Sequence, residues 1–83
     1  MKDVEVTVVS QKGHCGHGHK VGDTWVCGGR TPAGMCASAY AAIYPTIRAL
    51  ASGGSFPWAA ADGSLDVACP DGENPLIMRL KVR

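Results

Sequence analysis

Between Met35 and Ser52 the residues Cys36, Tyr40, Ile43, Ile47 and Leu50 recur at helical spacing along an alanine-rich segment, and no other stretch offers a substantial helix. On both sides of it the pattern switches to period two. Val4, Val6 and Val8 alternate with Glu5 and Thr7, and Thr24 to Cys27 reads as a short strand after the turn Lys20-Val21-Gly22-Asp23. Leu65, Val67 and Cys69 alternate with Asp66 and Ala68, and a turn follows at Pro70-Asp71-Gly72. From Leu76 to Val82, Leu76, Met78, Leu80 and Val82 face inward while Arg79, Lys81 and Arg83 face outward. The expected class is therefore α+β, in the order β-β-α-β-β: a mainly antiparallel four-stranded sheet with one helix packed on one face. Pro45 lacks an N–H and should kink or restart that helix near Tyr44, while Gly53 and Gly54 should end it with a left-handed cap.

The chain of 83 residues is read as a single domain, 1–83, without repeats or low-complexity tracts. With 46% hydrophobic and 18% charged residues it has the profile of a folded chain, yet a core this small leaves room for help from a metal or from further copies of the chain. A net charge of +1 without charge runs argues against nucleic acid as a partner. Charges at Lys2, Asp3 and Glu5 stand where a signal peptide needs its apolar stretch, and no window approaches the roughly 18 apolar residues of a membrane span. A cytoplasmic location is expected, and in a reducing compartment the four cysteines read as free thiols or metal ligands in preference to bridges.

Several of these residues can carry chemistry. Periodicity places Cys36 at the helix start on the core-facing stripe, where the positive end of the helix dipole favours thiolate, and Cys69 at the end of the third strand on the side of Leu65 and Val67. Taken singly, each also fits a small buried hydrophobe. His14-Cys15-Gly16-His17-Gly18-His19 packs four sulfur and imidazole donors into six residues, a composition suited to zinc, although a polar glycine-rich loop of this kind can also simply be solvated. Cys27 reads as a strand residue, Asp23 as a turn cap, and Tyr40, Tyr44 and Trp58 as core or interface aromatics. The sequence holds no Cys-x-x-Cys, phosphate loop or dinucleotide fingerprint.

The motifs Cys15 with Gly18-His19-Lys20-Val21-Gly22-Asp23, Gly34-Met35-Cys36-Ala37, Ile43-Tyr44-Pro45, Gly53-Gly54, Phe56-Pro57-Trp58, Ala68-Cys69-Pro70-Asp71 and Asn74-Pro75 span nearly the whole chain. In that order they resemble the TIGR04076 family of small bacterial and archaeal proteins. The resemblance implies that Cys15, His19, Cys36 and Cys69 are the recurring donors, and that Cys27, His14 and His17 are features of this member. Where the family often has Cys-Pro and Cys-Pro-Asp-Pro, this chain has Cys36-Ala37 and Cys69-Pro70-Asp71-Gly72, which loosens two turns without removing a donor. Proteins of this kind look common among anaerobes, which would suit oxygen-sensitive thiols or an iron–sulfur centre.

The leading expectation is a metal-binding module in which Cys15, His19, Cys36 and Cys69 hold zinc or an iron–sulfur cluster. A second is a thiol enzyme with Cys36 as nucleophile, His19 as base and Cys15 or Cys69 resolving. A third is a homo-oligomer that pairs sheet edges or apolar faces around packed thiols.

Overall fold

A computed structural model describes residues 2–13, 18–28, 30–70 and 72–83. His14, Cys15, His17, Gly29 and Asp71 lie outside the described residues, and with them the centre of the expected turn at Pro70-Asp71-Gly72. The elements are β1 (Val4–Gln11), β2 (Thr24–Cys27), α1 (Ala37–Ala51), β3 (Leu65–Ala68) and β4 (Leu76–Val82). They form the expected α+β arrangement. All three strand pairings are antiparallel, in the order β2-β1-β4-β3, so the two longest strands lie in the middle and two four-residue strands form the edges.

Register fixes which side chains share a face. Val4 opposes Cys27 and Val82, Val6 opposes Trp25 and Leu80, and Val8 opposes Met78, which in turn opposes Val67. This inner face, with Leu65 and Leu76, packs against Ala39, Ile43, Ile47, Leu50 and Ala51 of α1 to make the core. The other face stays open to solvent and polar: Asp66 and Arg79 form a bidentate pair at 2.9 and 3.1 Å, and Glu5 lies beside Lys81 in the register.

Because α1 joins β2 to β3, it must cross from one edge of the sheet to the other. Its C-terminus is tied to the start of β1, where Lys2 N–H donates to the Ala51 carbonyl at 2.8 Å. At ~1.5 Å per residue its 15 residues run about 22 Å, which carries the N-terminus toward the end where β1 finishes. Of the two expected consequences of Pro45, a kink or a restart near Tyr44, the restart does not occur: the helix is continuous through Pro45. Pro45 and Ala41, whose carbonyl loses its usual partner, both lie on the exposed face, so water can satisfy that oxygen. The stop is as expected. Gly53, at φ 90°, donates to the Leu50 carbonyl and Gly54 to that of Ala49, the paired bonds of a Schellman cap.

The loop between α1 and β3 is pinned by Asp62, whose Oδ1 accepts from Ser64 N at 2.9 Å and from Ser64 Oγ at 2.7 Å. These bonds, the side-chain one foremost, hold the Asp62 carboxyl down at about 2 from an ordinary 3.8. A carboxyl lowered on folding stabilises the fold in full above its unfolded value and loses that contribution as pH falls through the folded one. Asp62→Asn should therefore flatten the loss of stability between about pH 4 and 2 relative to the parent, read by urea unfolding along a pH series. An unchanged acid limb would contradict the pinned loop.

The one-sided core gives a second expectation. Ile47→Val should cost about 1 kcal/mol, whereas Val26→Ala on the open face should change stability by less than about 0.5 kcal/mol. Equal losses in denaturant unfolding would be inconsistent with this packing.

Candidate functional site

Among the described residues, His19, Cys36 and Cys69 lie toward the end of the sheet where β1 and β3 finish and β4 begins. His19 enters it just ahead of the turn that starts β2. That turn is held by Asp23 N–H to the Lys20 carbonyl at 3.1 Å and by Lys20 N–H to Asp23 Oδ2 at 3.0 Å, with Gly22 at φ 98° as its permissive residue. Asp23 thus caps the turn, as expected. Gly22 N–H donates to the Val8 carbonyl and Val8 N–H to that of Asp23, which fastens the turn to β1.

His19 is buried at 7% exposure, with its ring set edge-on to Trp25 at a centroid distance of 5.0 Å. Its Nε2 accepts the Cys36 backbone N–H at 3.1 Å, and its Nδ1 lies 3.9 Å from Asp23 Oδ2. A ring nitrogen that accepts from an amide carries no proton, so the imidazole here is neutral with its hydrogen on the Asp23 side.

Cys36 is the N-cap of α1. Its backbone is extended (φ −71°, ψ 154°), its carbonyl accepts the first helical bond from Tyr40, and its Sγ accepts from Ala39 N at 3.4 Å. Sulfur is a weak acceptor in a place that serine, threonine, asparagine or aspartate fills better. Cys69 follows β3 directly and is fastened twice to Leu76: its N–H donates to the Leu76 carbonyl at 2.9 Å, and its Sγ accepts from Leu76 N at 3.4 Å. Both sulfurs are partly buried against the core and receive a backbone N–H.

Cys27 behaves differently. It is fully buried opposite Val4, and burial pushes its thiol above the ordinary value, so it serves as a strand residue of the core.

Of the four expected ligands, His19 and Cys36 are thus in contact, Cys69 stands at the same end of the sheet, and Cys15 lies outside the described residues. Among the described residues no group of three or more His, Cys, Asp and Glu side chains could hold a metal ion, so His19, Cys36 and Cys69 do not by themselves form such a group.

Gln11 belongs to this end of the sheet as well. The register slips between Val8 and Ser10, which turns Gln11 to face across from Leu76 on the inner side. Its amide nitrogen donates to the carbonyls of Lys12 at 2.8 Å and Asn74 at 3.1 Å, while its buried Oε1 has no hydrogen-bond partner among the described residues. Strict alternation from Val4 would have pointed it outward, and nothing in the sequence marks the bulge.

No family model, curated protein or solved structure matches the chain.

Because an oxygen caps better than a sulfur, Cys36→Ser should leave the metal-free protein as stable as the parent or slightly more so, and about 1 kcal/mol more stable than Cys36→Ala in urea unfolding. Native alkylation should spare Cys27 long after Cys36 has reacted, as read by peptide mass analysis. Equal stability of the serine and alanine variants, or early labelling of Cys27, would contradict these assignments.

Proposed function

We propose that the chain is a small metal-binding protein in which Cys15, His19, Cys36 and Cys69 supply three thiolates and one imidazole to a zinc ion or an iron–sulfur cluster. The observation that carries the reading is the 3.1 Å contact between the Cys36 amide and an unprotonated His19 Nε2, which sets an imidazole beside a helix-capping thiol. A neutral imidazole and thiolates are the protonation states that metal ligation requires.

Three further considerations support it. A cysteine at an N-cap is a poor choice for capping alone, so the sulfur at position 36 argues for chemistry of its own. Cys69 has its sulfur held by a backbone N–H at the same end of the sheet, and Cys15 is four positions from His19 in the chain. The resemblance to the TIGR04076 family selects the same four residues. Ligation through Nε2 would take over the lone pair now given to the Cys36 amide, so ion binding would compete with this link to α1.

The thiol-enzyme reading draws less support, because His19 directs Nε2 to the amide of Cys36 and not to its sulfur. Self-association also has little to work with at the sheet: its edge strands are four residues each, and its open face carries paired charges.

Elemental analysis of untagged protein, purified anaerobically, should find about one zinc per chain or a stoichiometric iron–sulfur content, and a chelator should lower the melting temperature. Cys36→Ser and Cys69→Ser should each reduce the bound metal. Less than about 0.2 metal equivalents per chain, together with melting unaffected by chelator, would overturn the proposal.

A further inference from the structure

Away from the donor-bearing end, the β3 side of the fold carries an open groove of about 720 Å³, bounded by Trp58, Asp62, Ser64, Leu65, Asp66 and Arg79. At its rim Trp58 is 69% exposed, more than any other large apolar residue described. Phe56 backs it with ring centroids 5.0 Å apart, so the indole is braced at the groove. A flat apolar surface left in water beside a concavity is the feature that most constrains what could bind there.

The polar groups narrow the choice. Arg79 is locked by its bidentate bond to Asp66, Asp62 is held by Ser64, and Lys81 Nζ lies 3.5 Å from Asp62 Oδ2. Two carboxylates thus meet two cations, and a charged ligand gains no net attraction. The fixed pairs nevertheless offer hydrogen bonding in both senses: Asp66 engages two of the five N–H donors of the guanidinium, and carboxylate oxygens can accept more than one bond. A molecule with one apolar face and a rim of groups that both donate and accept would meet the indole and these pairs together. Pyranose rings have that construction.

We propose that this groove binds a neutral saccharide, one pyranose ring lying on Trp58 with its vicinal hydroxyls shared between the Asp66–Arg79 pair and Asp62. The proposal is independent of the metal reading, and its test does not require metal.

The test is titration of the ¹⁵N-labelled full chain with glucose, N-acetylglucosamine, cellobiose and maltotriose, followed at the indole resonances of its two tryptophans, Trp25 and Trp58. At least one sugar should shift Trp58 saturably with a Kd of about 1–10 mM, leave Trp25 in place, and do so equally at low and high salt. Trp58→Ala, at an exposed position, should abolish the response as followed at the Arg79 Nε–H, and Arg79→Met should weaken it about tenfold while leaving the indole in place. The proposal is overturned if no sugar gives a saturable shift up to about 100 mM, if the response survives Trp58→Ala, or if acetate or tetramethylammonium binds more tightly than the sugars.

Discussion

The bond from the Cys36 amide to His19 Nε2 joins two parts of the chain that nothing else described brings so directly together. His19 belongs to the turn that feeds β2, and Cys36 opens α1, 17 residues later. With Lys2 tied to Ala51 at the far end, the helix is fastened to the sheet at both termini, and its apolar stripe is held over the inner face between these two anchors. The same bond sets the protonation of His19, because a nitrogen accepting from an amide has no hydrogen to give. A structural contact thereby leaves an imidazole in the form that metal chemistry uses.

Much of the architecture was legible in the sequence. The alternation from Leu76 to Val82 and the stripe through Ile43, Ile47 and Leu50 are strong periodic signals, and a strand and a helix stand there. Gly53 announced the helix stop, because only glycine takes φ 90° without strain. Pro45 does not interrupt the helix, for a local reason: its missing bond falls on the solvent side, where water can replace it. Gln11 was hidden for another, since a single-residue bulge reverses the face of every side chain after it and leaves no mark in composition.

The site was legible only in part. Helical spacing placed Cys36 at the start of α1, but no pattern in a glycine-rich loop could predict that His19 would reach back to its amide. Cys69 was assigned to the end of β3 and lies one residue past it, where the bonds to Leu76 close the approach to β4. The partition among the cysteines follows physical setting: Cys36 and Cys69 have amide donors at sulfur, while Cys27 is fully buried, which penalises its thiolate. The groove beside Trp58 depends on side chains from a loop and two strands, and sequence spacing alone does not bring them together.

The protonation of His19 can be observed directly. Multiple-bond ¹H–¹⁵N spectroscopy of the metal-free protein near neutral pH distinguishes the two imidazole tautomers from each other and from the imidazolium. A hydrogen on Nδ1 with Nε2 bare is the predicted result. An imidazolium, or a hydrogen on Nε2, would contradict the link between His19 and the start of α1 and the reading built on it.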